Sequence, residues 1–90
     1  MPRAGAAHQK VLDSAVHRWS SLPWQQLEAR LRDVRSYQVQ MESGTYQVEV
    51  ELLENTPKYL HVIVAVDDGS LPRSTAPLTR SFVVHKTPPL

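Results

Sequence analysis

The chain contains no cysteine, three glycines and a single phenylalanine among its 90 residues. Lack of cysteine excludes a disulfide framework, a thiolate metal centre and a cysteine nucleophile. Long apolar runs are missing too. The longest, Val62 to Val66, falls far short of the ~20 residues a membrane-spanning helix requires. Met1 to Ala7 carries one arginine and small residues with no apolar stretch behind it, unlike a secretory leader. A cytoplasmic protein without targeting peptide or membrane contact is therefore expected. Charge of one sign is also scarce: ten Lys and Arg face nine Asp and Glu, for a net charge of +1. Such a balance lacks the strongly basic patch of a nucleic-acid binder. No glycine-rich phosphate loop, nucleophile elbow or zinc spacing occurs, so no catalytic residue, metal or cofactor is expected.

What is present is a chain of one-domain length. A domain of this size buries only roughly 60–65% of the surface exposed by its unfolded chain. Modest stability, or support from a second copy, follows. Pro2 and Gly5 mark residues 1–6 as a flexible arm, and Pro88 and Pro89 mark 87–90 as a disordered tail. A single α+β domain is expected over 7–86.

From Ala7 to Ser20 the apolar residues follow a helical period. His8, Leu12, Ala15, Val16 and Trp19 share one face. Asp13 and His17 are four apart on the solvent side and can pair. Pro23 interrupts, because its ring cannot continue a helix. A second helix is expected from Leu22 to Val34, with Ser21 as N-cap. Trp24, Leu27, Leu31 and Val34 form its stripe, and Glu28 and Arg32 an i,i+4 pair.

The period then changes to two. Tyr37, Val39 and Met41 alternate with glutamines, and Tyr46, Val48, Val50 and Leu52 alternate with Gln47, Glu49 and Glu51. Ser43-Gly44 between them reads as a two-residue hairpin loop. It sets Met41 opposite Tyr46, Val39 opposite Val48 and Tyr37 opposite Val50. A loop at Asn55-Thr56-Pro57 leads to a third strand, Lys58 to Val66, which places Val50 opposite Val62 and Val48 opposite Val64. Glu51 then faces His61 and Glu49 faces Ile63. Asp67-Asp68-Gly69-Ser70 reads as a turn. Pro72 and Pro77 confine a fourth strand, somewhere within 71–85, to a sheet edge. The expected fold is two N-terminal helices packed on one face of a three- to four-stranded antiparallel meander. The other face is wet along its Gln and Glu residues. It turns less polar where Leu53, Tyr59, Ile63 and Ala65 point outward.

Each chemical candidate has a plainer reading. His61 with Glu49 and Glu51 offers a histidine and two carboxylates, as a metal or proton-transfer site would. On an open sheet face the same residues read as a solvated cross-strand pair. Asp67-Asp68 reads as a turn former rather than an acid–base pair. Ser14, His17 and Asp13 do not make a triad, because Ser14 lies round the helix from the other two. Arg30, Arg32 and Arg35 scatter round the helical wheel instead of forming a groove-facing ridge. Trp19 and Trp24 read as anchors for the helices rather than as an aromatic cage.

Tyr46-Gln47-Val48-Glu49-Val50, Asp67-Asp68-Gly69-Ser70 and Pro77-Leu78-Thr79-Arg80-Ser81-Phe82 together resemble a group of small uncharacterised bacterial proteins. The likeness covers roughly the C-terminal half and implies a bacterial origin but no activity. The residues favour a non-enzymatic protein-interaction domain, self-association as a homodimer included, using the outer sheet face or a strand edge. The candidate surface is Glu49, Glu51, Tyr59, His61 and Ile63. The alternatives are a ligand-binding protein or enzyme with a pocket between helices and sheet and, less favoured, an oligonucleotide binder.

Overall fold

In the computed structural model, residues 4–67 and 78–86 are described. Two helices, α1 (Ala4–Ser20) and α2 (Trp24–Arg30), precede four strands: β1 (Arg35–Met41), β2 (Gly44–Asn55), β3 (Tyr59–Asp67) and β4 (Leu78–His85). The strands form one antiparallel sheet in the order β1-β2-β3-β4. Helix α1 lies mainly over β3 and β4 and less over β2. The architecture is α+β, with two N-terminal helices on one face of a four-stranded meander.

Alternation along the central strands builds the core. Tyr46, Val48 and Val50 of β2 and Leu60, Val62, Val64 and Val66 of β3 point to the helix side and are buried. Val11, Leu12, Ala15 and Trp19 of α1, with Leu27 and Leu31, cover them. Burying each such aliphatic side chain contributes roughly 1.5–3 kcal/mol before entropy is subtracted. The β-branched valines suit a pleated surface packed on both sides by neighbours. The Trp19 indole stays hydrogen-bonded on burial: its Nε1–H donates to the Tyr37 hydroxyl at 3.0 Å.

Several local expectations are corrected. Helix α1 starts at Ala4, ahead of the expected Ala7 and inside the proposed arm, and Val11 joins its buried face. Asp13 does not turn to His17. It accepts from Gln9 at 2.9 Å and pairs with Arg80 of β4 at 3.0 Å. Helix α2 is shorter than expected and ends at Arg30, so Arg32 lies beyond it and Val34 is half exposed. Ser21 caps nothing in α2. Its hydroxyl donates to the His17 carbonyl at 2.6 Å, closing the end of α1, while Pro23 occupies the N-cap without a side-chain bond.

The strand registers are each offset from expectation by two residues. The first hairpin turns at Glu42-Ser43, not Ser43-Gly44. Met41 pairs Gly44, Val39 pairs Tyr46 and Tyr37 pairs Val48. In the second pairing Val48 faces Val66, Val50 faces Val64 and Leu52 faces Val62. A two-residue shift leaves every side chain on its face, so apolar alternation cannot detect it. Turn chemistry decides. Gly44 has φ of 140°, a conformation side chains avoid, and it opens β2. The second loop is fastened by Thr56, whose hydroxyl accepts from the Lys58 and Tyr59 amides at 3.1 and 3.0 Å.

The fourth strand begins at Leu78. The rest of the 71–85 window, residues 71–77, falls outside the described residues. So do most of the Asp67–Ser70 turn, the 87–90 tail and residues 1–3 of the arm.

Space around Gly44 is open, so its role is conformational rather than steric. Gly44→Ala is therefore expected to lower unfolding free energy by about 1–3 kcal/mol, the cost of a side chain in a glycine-only backbone region. Urea denaturation checks this. An unchanged or raised midpoint would place the turn elsewhere.

Candidate functional site: the outer face of the sheet

The face away from the helices is formed by odd-numbered residues of β3 and β4. Across it Tyr59 pairs with His85, His61 with Val83, Ile63 with Ser81 and Ala65 with Thr79. On the β2 side Glu49 lies opposite Ala65 and Glu51 opposite Ile63. All five residues of the expected surface (Glu49, Glu51, Tyr59, His61 and Ile63) are thus on this face. The partners differ from expectation, however. His61 does not meet Glu51, and Glu49 does not meet Ile63.

An irregularity in β2 supplies the carboxylate that alternation places on the wrong side. Between Leu52 and Glu54 the ladder slips by one residue, and Glu54 comes opposite His61. Such a bulge places two residues against one and re-aims the side chains that follow. By simple alternation with Val48, Val50 and Leu52, Glu54 would face the helices. Instead its carboxylate lies 3.4 Å from His61 Nδ1 and accepts from the Tyr59 hydroxyl at 3.3 Å. The negative charge of Glu54, then partial desolvation, then this hydrogen bond hold the Tyr59 phenol above its ordinary 10.0. No periodic reading of the sequence finds Glu54, because a bulge breaks the period; the adjacent Leu52-Leu53 pair is the only trace.

Beside this polar triad lies an apolar band. Leu53 is 49% exposed and Val83 47% exposed, with His61 between them and Tyr59, Ile63 and Ala65 half-buried along β3 on either side of it. The band crosses three strands and is bordered by Glu51 and Glu54 on one side and His85 on the other. Glu54, Tyr59 and His61 could relay a proton in principle. Among the described residues they stand on an open sheet face. No group of three or more metal-ligating side chains forms among the described residues.

The same bulge returns Asn55 to the helix side, where it faces Leu60. There it joins a polar clasp. Glu28 accepts from Asn55 at 3.0 Å and from Lys86 at 3.2 Å, and Lys86 donates to Asn55 Oδ1 at 2.7 Å. The Lys86 ammonium also stands 5.0 Å from the Trp24 ring centre. The Asn55 hydrogen bond first, then that of Lys86, hold the Glu28 carboxyl below its ordinary 4.5. The three groups are matched to one another, so the clasp fastens α2 to two strand ends.

The other polar candidates are likewise engaged. Trp19 and Tyr37 bond each other, Tyr46 bonds Ser43 at 2.9 Å, and the His8 ring meets Tyr46 edge-on at 4.9 Å. Trp19 and Trp24 form no shared cage. Arg35 donates to the Arg30 carbonyl at 2.9 Å instead of extending a basic ridge. A trough of about 370 Å³ lies between α1 and β1, and a hollow of about 470 Å³ lined by Glu28, Leu31, Arg32, Glu51 and Asn55 lies where α2 meets β2. No helix among the described residues is long and apolar enough to cross a membrane.

No family model, curated protein or solved structure matches the chain.

The Tyr59 titration tests the Glu54 contact. Its ultraviolet ionisation midpoint, isolated by difference against Tyr59→Phe, is expected above 10.0 and to fall toward it in Glu54→Gln. Because the folded phenol is the weaker acid, this contact stabilises the fold fully below the unfolded value. It is lost as pH rises through the folded one. An ordinary midpoint unaffected by the substitution would separate Tyr59 from Glu54.

Proposed function

We propose that this chain is a non-enzymatic interaction domain that self-associates through the outer face of β2, β3 and β4. The observation that carries the reading is the pair of exposed aliphatic residues Leu53 and Val83, with half-buried Ile63 nearby, on the side away from the core. Exposed apolar side chains grouped on a wet sheet face and rimmed by polar residues mark an interaction surface. The band carries carboxylates along one border and histidine along the other. A two-fold axis through it sets Glu51 and Glu54 of one copy against His85 of the next, and an isologous contact must be self-complementary in this way. Central aliphatic contact with a polar rim is the usual anatomy of such interfaces.

The face is favoured over the free edges of β1 and β4 because the exposed aliphatic groups lie in it. It is a poor surface for nucleic acid, since Glu49, Glu51 and Glu54 repel phosphate. A cytoplasmic setting agrees with this reading. A bacterial origin rests on the sequence likeness alone.

Light scattering after size exclusion, across a dilution series, is expected to show mass rising from one chain toward two. Val83→Lys should hold the chain monomeric with an unchanged circular dichroism spectrum, since an exposed substitution shifts stability by only about 0.5 kcal/mol. A wild-type monomer at every concentration, or association untouched by Val83→Lys, would refute the proposal.

A further inference from the structure

The helix side of the sheet is unevenly covered. Helix α1 spends its apolar face on β3, β4 and part of β2. Helix α2, seven residues long, sits toward the opposite end near β2 and β4. As a result Tyr37, Val39 and Met41 of β1 face the helix side yet are only half-buried. A trough of about 370 Å³ runs between them and α1, and its remaining wall is Lys10, Val11, Ser14, Ala15 and Arg18. Neither Lys10 nor Arg18 has a carboxylate partner among the described residues. Arg18 instead stands 5.8 Å from the Tyr37 ring centre. No acidic side chain lines the trough.

Lys10, Ser14 and Arg18 recur every four residues, so they form one ridge along α1. The two cations are therefore about 12 Å apart, at 1.5 Å per residue. The floor beside them is aliphatic, from Val11, Ala15, Val39 and Met41. An aliphatic trough with a cationic rim and no anion fits an occupant of opposite pattern: an apolar stripe flanked by carboxylates two helical turns apart. The trough is partly open to solvent, which lets a helix lie in it beside α1. A small molecule is normally enclosed over most of its surface, and here it would have one side in water. Residues 68–77 and 87–90 of this chain contain one acidic residue, Asp68, and so cannot supply that pattern.

We propose that the trough between α1 and β1 is the docking site for an acidic amphipathic helix of a partner protein, seated on β1 beside α1 and held by Lys10 and Arg18. This is the helix-in-groove mode of recognition, in which aliphatic anchors supply affinity and rim charges supply selection and register. The site is separate from the outer face, so one domain can pair with its copy on one side and hold a different partner on the other.

A designed helical peptide of about 15 residues, long enough for marginal helicity on its own, is the probe. It carries a leucine stripe flanked by glutamates, and a sister peptide has lysines in their place. Titration of the glutamate peptide into the labelled full chain, followed by amide chemical shifts, is expected to perturb 10–18 and 37–41 and spare Val83 and His61. The double variant Lys10→Glu/Arg18→Glu should bind it about tenfold more weakly, as two rim ion pairs and their reversal imply. The same variant should gain affinity for the lysine peptide, a reversal that misfolding cannot produce. Equal binding of both peptides to wild type, perturbation centred on the outer face, or no binding would overturn the proposal. So would saturable binding of decanoate at the trough without the peptide. Because Val83→Lys leaves this site intact, failure here and failure of the outer-face reading are separable.

Discussion

Two adjacent strands, β2 and β3, present seven buried side chains to one side, and five of them are valine. A surface of that kind is tenable in water only when something apolar lies on it. Helix α1, with Leu27 and Leu31 from the region of α2, is that cover. Most else in the molecule follows from this constraint. It sets which face of β4 turns inward, because Phe82 and Val84 must join the same layer. It leaves the alternate residues facing water, and therefore places Ile63, Val83 and the glutamates where a partner can meet them. It also explains the trough: one long helix and one short one do not reach across four strands, and β1 is the strand left over.

The polar features refine this layer without creating it. The clasp of Glu28, Asn55 and Lys86 ties α2 to the far ends of β2 and β4 with matched charges and hydrogen bonds. The bulge at Leu52–Glu54 makes both polar clusters out of consecutive residues. Glu54 goes outward to His61 and Tyr59, and Asn55 goes inward to Glu28. One inserted residue thus supplies a fastening on one side of the sheet and a charged border on the other.

Face assignment was legible in the sequence because it depends on parity alone. Val48, Val50, Val62 and Val64 are buried as alternation requires, and Tyr59, His61 and Ile63 lie on the other side. Register was not legible, because a shift of two preserves parity and only the positive φ of Gly44 selects the turn. The Glu54–His61 contact was hidden for the opposite reason: a bulge breaks parity locally, and no residue type announces it. Helix α2 was overestimated because Leu31 and Val34 continue the helical spacing after the backbone has left the helix. Leu31 is buried as the C-cap, and Val34 turns to solvent. A pocket between helices and sheet was among the alternatives, but its place over β1 was not legible, since it depends on which strands α1 crosses.

The central claim is that α1 covers the aliphatic side of β2 and β3. Nuclear Overhauser contacts between the side chains of Leu12 and Trp19 and the methyl groups of the sheet valines test it most directly. The structure predicts a dense set of such contacts to Val48, Val50, Val62, Val64 and Val66, with no Overhauser effect from water to those methyls. Contacts from α1 to Ile63 and Val83 instead, or valine methyls that meet water, would contradict the fold and both surfaces derived from it.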